Sequence, residues 1–130
     1  MKVEDVMSRD VLIVSPDLTV PDVARMMSEK EATSALVVEH DKPLGIVTEH
    51  DFLARLLALN KEARTTKIRE IMSSPVVDIG PEVSIFDAIV IMRKRNFSQL
   101  PVMQKGKLAG IVTLDSLLKF VATFFSAHRM

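Results

Sequence analysis

One short segment of the sequence places a hydroxyl and a carboxylate three residues apart, in Thr48-Glu-His-Asp51. An ionised aspartate is only an acceptor and can take both hydroxyls of a diol through charge-assisted hydrogen bonds. If Thr48 opens a helix, the free N–H groups of that helix start also suit a phosphate. The same spacing is nearly a capping box, which any helix start can use. Spacing alone favours the cap, and one threonine can serve both roles.

The segment belongs to an internal repeat. Gly45–Thr48 reads Gly-Ile-Val-Thr and returns at 110–113, and Val11–Pro16 returns as the related Val76–Pro81, both with the same offset of 65 residues. A constant offset over about fifty positions indicates two copies of one supersecondary unit. Such a unit rarely buries its apolar face alone, so we expect the copies to depend on each other.

Each copy has the pattern β-α-β-β-α, which predicts an α/β fold. In the first copy, 11–14 is a short apolar run typical of a buried strand, and Thr19 precedes apolar residues at helical spacing with Pro21 in the first turn. Two further strands are predicted at 35–39 and 44–48, followed by a helix. In the second copy Ser84 is the predicted cap, 105–107 the hairpin turn and Thr113 the start of the last helix.

Composition excludes several classes of function. The 130 residues contain no cysteine, and the net charge is zero, which argues against a general nucleic-acid binder. The charge is uneven, because residues 3–53 carry four Lys or Arg against eleven Asp or Glu. The charged start and short apolar runs predict a soluble cytoplasmic protein without a membrane helix. Histidines lack metal spacing and nothing resembles a catalytic triad, so neither a metal site, a catalytic residue nor an enzyme is expected.

The ordered motifs resemble a known family. Leu100-Pro101-Val102 before the hairpin, with Gly-Ile-Val-Thr-x-x-Asp after it in the first copy, resembles the cystathionine-beta-synthase (CBS) domain, and two copies in tandem resemble a Bateman module. The resemblance covers roughly residues 2–120 and predicts one repeat at 1–62 and another at 63–130 with a C-terminal helix extension. It implies two α/β repeats packed sheet to sheet with pseudo-twofold symmetry. No regulated domain remains in these residues, so a stand-alone module is expected.

The same resemblance implies two clefts that often bind adenosine compounds. The second is expected to be weaker, because Ser116 stands where the family has Asp and Asp115 lies one residue early, a slip of about 100° around a helix. The first cleft would use Thr48 and Asp51 with Thr33, Ser34, Ser73, Ser74, Pro75 and Val76. The second would use Thr113, Asp115, Ser116, Ser98, Gln99, Ser8, Arg9, Asp10 and Val11.

The residues expected to flank the ligand are largely uncharged. Thr33, Ser34, Ser98 and Gln99 stand where family members that grip several phosphates often place His or Arg. Arg9 or the run 93–95 could substitute, although the run is also typical of a solvated helix end. Adenosine recognition is therefore better supported than polyphosphate recognition.

Together these features predict a regulatory sensor that needs no cofactor and binds AMP, ADP or ATP, or else S-adenosylmethionine or NAD(H). It would modulate an unidentified partner protein. The alternative is a ligand-free oligomerisation or interaction module. An apolar stripe on the last helix, including Leu114, Leu118, Phe124 and Phe125, either packs on its own copy or forms a homodimer surface.

Overall fold

The computed structural model describes residues 1–127, which form two compact units. The first unit is Val11–Val76; the second combines Met1–Asp10 with the chain from Val77 onward. The division into repeats at 1–62 and 63–130 stays a prediction, and residues 128–130 lie outside the described part. Each compact unit holds the body of one repeat together with the first residues of the other, 63–76 in the first unit and 1–10 in the second. We call these two stretches the leading segments of the second and the first repeat.

The first unit contains a three-stranded sheet of β1 (Ile13–Val14), β2 (Ser34–Glu39) and β3 (Lys42–Thr48), in that order. Strand β1 runs parallel to β2, and β2 pairs antiparallel with β3 through a hairpin. The helix after β3 begins as α and continues as a π-helix. The elements are β1 (Ile13–Val14), α1 (Val20–Lys30), β2 (Ser34–Glu39), β3 (Lys42–Thr48), α2 (Glu49–Asp51) with its π-helical continuation (Phe52–Leu57), and 3-10 turns at Ala63–Thr65 and Ile68–Glu70.

The second unit repeats this design with a two-stranded antiparallel sheet. Its elements are a 3-10 turn (Val3–Asp5), α3 (Ile85–Arg95), β4 (Gln99–Gln104), β5 (Lys107–Thr113) and α4 (Leu114–Ala127). The predicted α/β class is confirmed. Among the described residues, no helix combines the length and the apolar character needed to cross a membrane.

The first strand of the second repeat was expected at 76–79 and is not formed; only a single parallel bridge joins Ile79 to Val102. In the first repeat, the N–H of Leu36 donates to the carbonyl of Leu12 at 2.8 Å. The equivalent of Leu36 is Pro101, which has no N–H to donate, so the ladder cannot extend.

Both predicted helix starts are confirmed. The hydroxyl of Ser84 accepts a hydrogen bond from the N–H of Asp87 at 3.0 Å. Thr19 is also the N-cap residue, but its hydroxyl donates to the carboxylate of Asp22 at 2.9 Å instead of accepting from the backbone. These starts fix where α1 and α3 begin relative to the strands that follow them.

The leading segments are part of the core of the unit that receives them. Ile68 and Ile71, from the leading segment of the second repeat, are fully buried in the core of the first unit with Val23 and Val47. Val3, from the leading segment of the first repeat, is equally buried in the core of the second unit. Full burial of such a side chain stabilises a fold by roughly 1.5–3 kcal/mol.

Backbone hydrogen bonds attach each leading segment to the body of the other repeat in the same way. Ser73 bonds to Ile46 in both directions, its N–H donating at 2.8 Å and its carbonyl accepting at 3.0 Å. In the second unit, Ser8 and Ile111 form the equivalent pair, with both bonds at 2.9 Å. These two pairs are therefore related by the same offset of 65 residues that relates the two repeats.

The leading segment of the second repeat crosses β3 at Gly45, and the leading segment of the first repeat crosses β5 at Gly110. A Cβ atom added to Gly45 would lie 2.7 Å from the carbonyl oxygen of Ser73 and 2.7 Å from the sulfur of Met72. At Gly110 it would lie 2.6 Å from the carbonyl oxygen of Ser8 and 2.8 Å from the sulfur of Met7. Glycine is thus required for the close approach of two backbones.

The C-terminal stripe divides between the two expected roles. Leu117 is buried, and Leu114, Phe120 and Val121 pack against the core of the second unit. Leu118, Phe124 and Phe125 stay exposed, and the two phenylalanine rings meet edge to face with centroids 5.7 Å apart. The first part of the stripe therefore packs on its own unit, and the remainder is an accessible apolar surface.

The unit boundaries predict which fragments of the chain fold. Residues 1–62 lack Ile68 and Ile71, and losing both removes on the order of 3–6 kcal/mol from a small unit whose total stability is about 5–15 kcal/mol. Residues 11–76 retain them. Circular dichroism should show a cooperative melt for 11–76 and poor order for 1–62. Equal melts of the two fragments would contradict the exchanged boundaries.

The glycine crossing predicts a packing defect. Gly45→Ala should displace the Met72–Ser73 backbone and lower the free energy of unfolding by about 1–3 kcal/mol, the usual cost of overpacking. Denaturant unfolding measures this, and Gly110→Ala is the matched variant in the second unit. An unchanged midpoint for Gly45→Ala would show that the crossing is looser than the structure has it.

Candidate functional site

The carboxylate of Asp51 lies at the centre of the first site. The residue is 3% exposed, although it sits in the first turn after β3. One oxygen, Oδ2, accepts from the N–H of Thr48 at 2.8 Å and from its hydroxyl at 3.3 Å. A buried carboxylate needs such donors, because an unpaired buried charge is costly.

These contacts show that Thr48 and Asp51 do form the helix start that their spacing favoured. Thr48 is the last residue of β3 and the N-cap of α2, so the strand end fixes where the helix begins. The backbone bond to Oδ2 is one half of a capping box. It leaves the other oxygen, Oδ1, to face a different part of the unit.

Oδ1 faces the segment that leads into the second repeat. The hydroxyl of Ser73 donates to it at 3.3 Å, and the backbone pairing of Ser73 with Ile46 holds that hydroxyl in place. The first site therefore combines a carboxylate from the first repeat with a residue from the leading segment of the second. Both lie within one compact unit.

Arg55 is a member of this site that the sequence analysis missed. Its Nε lies 3.6 Å from Oδ1 of Asp51, and its Nη1 donates to the carbonyl of Met72 at 2.8 Å. The arginine side chain is 48% exposed. The spacing of four residues from Asp51 was the signal that could have revealed it, because such pairs face each other on a helix.

The remaining predicted residues of the first site divide into two groups. Ser34 pairs with Thr48 across the sheet, and the carbonyl of Thr33 accepts from the N–H of Glu49 at 3.3 Å, so both adjoin the helix start. Ser74 and Pro75 are exposed and Val76 is half-buried. These three follow Ser73 along the chain, and among the described residues no hydrogen bond joins their side chains to Asp51.

The second site has the same backbone scaffold. Ser8 pairs with Ile111, Gln99 pairs with Thr113, and the N–H of Leu114 donates to the carbonyl of Ser98 at 2.8 Å. Each of these contacts has its counterpart 65 residues away in the first site. The backbone contacts around the two sites therefore match, although the following helix continues as a π-helix in the first unit and is an α-helix throughout in the second.

The second site lacks the carboxylate. Ser116, at the position equivalent to Asp51, closes its own helix start: its N–H donates to the Thr113 hydroxyl at 3.1 Å and its hydroxyl donates to the Thr113 carbonyl at 3.0 Å. Asp115 does not reach this position. Its side chain is 79% exposed and pairs with Lys119 at 3.1 Å. Phe120 stands where the first site has Arg55.

The other predicted residues of the second site are dispersed. Gln99 has a buried side-chain oxygen without a hydrogen-bond partner within residues 1–127. The hydroxyl of Ser8 accepts from the N–H of Asp10 at 3.3 Å, and Arg9 is exposed. Val11 belongs to the other compact unit. The second site thus offers neutral groups in place of a charge.

An ion cluster outside the site holds the leading segment against the first unit. Nη2 of Arg69 donates to Asp17 at 2.9 Å and to Glu39 at 3.3 Å. The hydrogen bond from Arg69 lowers the pKa of the Asp17 carboxyl, and the same bond raises the pKa of Arg69. All three groups are substantially exposed, so solvent weakens their attraction.

No group of three potential metal ligands converges among the described residues.

Comparison with known proteins places this arrangement in a family. A model of the CBS domain matches residues 3–58 and 68–123. The protein MK0525 of Methanopyrus kandleri is 33% identical over 121 residues, which cover 92% of this chain and 62% of that protein. The chain therefore spans less than two thirds of this relative's length.

Two solved structures share the fold. The CBS domain pair of protein MJ0100, in complex with 5′-methylthioadenosine and S-adenosyl-L-methionine, matches with a TM-score of 0.85 at 25% identity, covering 95% of this chain and 98% of that one. A hexameric CBS-CP12 protein from bloom-forming cyanobacteria matches with a TM-score of 0.86 at 27% identity, covering 94% and 74%. With both repeats matched in register and the fold shared, this chain belongs to the CBS-domain family as a tandem CBS pair.

Proposed function

We propose that this CBS pair is a regulatory sensor, with a binding rather than a catalytic role, whose first site takes an adenosine-containing ligand and thereby modulates a partner protein. The observation that carries the proposal is the Asp51 carboxylate, held between Thr48 and Ser73, which belong to different repeats. A ligand bound there touches the body of one repeat and the segment leading into the other.

The chemistry of the first site suits a ribose diol. Within residues 1–127, Oδ1 of Asp51 has only a long hydrogen bond from Ser73, at 3.3 Å, and a more distant guanidinium at 3.6 Å. A ribose hydroxyl that donates to Oδ1 would replace the weak bond from Ser73 with a shorter charge-assisted one. Oδ2 stays with the backbone of Thr48, so the carboxylate remains oriented. The adenosine ligands of MJ0100 support this ligand class.

The charges near the site favour a ligand with few phosphates. Thr33 and Ser34 are neutral, and Arg55, the cation beside Asp51, already binds the carbonyl of Met72. AMP or S-adenosylmethionine therefore fits the first site better than ATP does. ADP and NAD(H) are further candidate ligands.

Regulation would follow from a shift in population. The backbone pairing of Ser73 with Ile46 fixes the leading segment on the first unit, and it remains when a ligand replaces the Ser73 hydroxyl at Asp51. A ligand that binds the docked segment more tightly than the released one shifts the equilibrium towards the docked arrangement. The size of this shift cannot exceed the difference between the two binding free energies. At 100 times its Kd such a ligand adds roughly 2.7 kcal/mol. A partner that senses the leading segment would detect that change.

A second candidate function is a ligand-free interaction module. It is favoured by the 3% exposure of Asp51, which requires Ser73 to turn away before any ligand reaches the carboxylate. The exposed apolar side chains of the helices also suit a protein partner. Calorimetry with AMP, ADP, ATP, S-adenosylmethionine and NADH separates the two candidates, because the interaction module gives no heat with any of them.

We also propose that the chain forms a homodimer. Phe124 and Phe125, with 40% and 60% exposure, extend an apolar surface along α4 together with Leu118. Aromatic residues are enriched in protein interfaces, and contiguous exposed apolar surface marks interaction sites. The hexameric CBS-CP12 relative supports self-association in this family.

The geometry of the first site predicts that removing the Asp51 carboxylate weakens ligand binding and that removing the Asp115 carboxylate does not. Asp51→Ala should weaken binding of the best adenosine ligand by about 1.5–3 kcal/mol, the range for hydrogen bonds to a charged group. Asp115→Ala, which alters only an exposed ion pair, is the matched control and should bind like wild type. Ser73→Ala should bind at least as tightly as wild type, because it removes the competing hydroxyl. If Asp115→Ala loses binding and Asp51→Ala keeps it, the two sites are ranked wrongly.

If the exposed part of the C-terminal stripe forms the dimer interface, removing its aromatic side chains should lower the average mass of the particles in solution. Truncation after Lys119 would remove Phe124 and Phe125, but also Phe120 and Val121, which pack on the core. The substitution of Phe124 and Phe125 by serine is therefore the cleaner variant. Light scattering should show a weaker dimer while the far-ultraviolet spectrum is unchanged. An unaltered dimer mass would show that these two rings lie outside the interface.

A further inference from the structure

One peptide group in the leading segment of the second repeat is held from two sides. Its N–H, which belongs to Ser73, donates to the carbonyl of Ile46 on β3 at 2.8 Å. Its carbonyl, which belongs to Met72, accepts from Nη1 of Arg55 at 2.8 Å. The N–H and the C=O of a trans peptide point in opposite directions, so β3 and Arg55 lie on opposite sides of this group. The position of the leading segment therefore sets the position of the guanidinium.

The same guanidinium stops just short of the Asp51 carboxylate. Its Nε lies 3.6 Å from Oδ1, whereas a charge-assisted hydrogen bond between such groups measures about 2.7–2.9 Å. The arginine side chain is 48% exposed, so it has room to move, and the carboxylate that it faces is buried. While Arg55 donates to Met72, Oδ1 is left with long contacts only among the described residues.

We propose that Arg55 is a positioning residue that makes ligand affinity depend on the leading segment. While the segment is docked, the carbonyl of Met72 holds Arg55 away from Oδ1, and a ribose hydroxyl can donate to that oxygen. When the segment is released, Arg55 loses this acceptor and closes on Asp51, where it competes with the ligand. This gives the docked and released chains different affinities, which a population shift requires. The inference rests on the proposed ligand site and supplies its regulation.

The second unit lacks this arrangement. Phe120 stands at the position of Arg55 and has no side-chain donor for the carbonyl of Met7. Ser116 replaces the carboxylate and bonds within its own helix start. The leading segment of the first repeat is therefore docked without a charged group that answers to its position, and only the first unit couples its segment to a ligand.

A purely stabilising role for Arg55 leads to a different expectation. In that case the loss of Arg55 and a disturbance of the leading segment would weaken ligand binding independently, and the two effects would add. In the proposed role, the loss of Arg55 removes the competitor for Oδ1. A disturbance of the segment then no longer lowers the affinity.

Calorimetry with AMP separates the two roles. Gly45→Ala disturbs the segment, because the added methyl group would collide with the backbone of Ser73. It should weaken AMP binding at least about fivefold in the wild-type chain, but less than about twofold when combined with Arg55→Met. Arg25→Met, which alters an exposed ion pair with Asp22, is the matched arginine control and should keep the full effect of Gly45→Ala. Equal weakening with and without Arg55 would overturn the proposal.

A second disturbance of the segment guards against a variant that does not fold. Ile71→Val shortens a fully buried side chain of the leading segment without crowding Gly45. It should act in the same direction as Gly45→Ala, and melting curves show that each variant is folded.

A measurement without ligand keeps this proposal distinguishable from the proposed function. In nuclear magnetic resonance spectra, the Nε–H signal of Arg55 is assigned by its loss in Arg55→Lys. Gly45→Ala should move this signal downfield and slow its exchange with water, because Nε then donates to the carboxylate, and Asp51→Ala should abolish the change. An unchanged signal would overturn the coupling whatever AMP does. A shifted signal in a chain that gives no heat with AMP would support the coupling of Arg55 to the segment and reject AMP as the ligand.

Discussion

The pairing of Ser73 with Ile46 is the contact on which the first unit depends. It lets the segment leading into the second repeat enter the core of the first unit, where Ile68 and Ile71 are fully buried. It also requires a glycine at position 45, because any side chain there would collide with the crossing backbone. The equivalent pair of Ser8 with Ile111 has the same consequence in the second unit. The repeats are therefore exchanged modules, and neither sequence repeat is by itself a complete folding unit.

This exchange explains why the candidate site combines the two repeats. The hydroxyl of Ser73 reaches Asp51 because the backbone of the same residue is already fixed on β3. The scaffold is duplicated, yet only the first copy carries a carboxylate with an arginine four residues later. In the second copy, serine and phenylalanine occupy those positions, and Asp115 pairs with Lys119 in solvent. A duplicated fold has thus kept a charged site in one unit and a neutral one in the other.

Much of this could be predicted from the sequence, and the exceptions have physical causes. The repeat offset, the hairpins and the caps at Thr19 and Ser84 followed from local patterns, which local backbone preferences determine. The missing strand before α3 did not, because its cause is the absent N–H of Pro101 on another strand. The unit boundaries depend on contacts between the two repeats, which spacing within one repeat does not reveal. The spacing of Arg55 from Asp51 could have indicated their pairing, but not the hydrogen bond from Arg55 to the carbonyl of Met72. The π-helical turn after Asp51 likewise has no local sequence signal.

We propose that an adenosine ligand at Asp51 would hold the leading segment of the second repeat on the first unit, where Ser73 pairs with Ile46. Hydrogen exchange followed by mass spectrometry, with and without saturating AMP, tests this most directly. We expect slower exchange in peptides spanning 44–52 and 66–76, with smaller changes in 6–11 and 109–118. Binding of AMP that leaves 44–52 and 66–76 unprotected, or protects only the second pair of peptides, would contradict it.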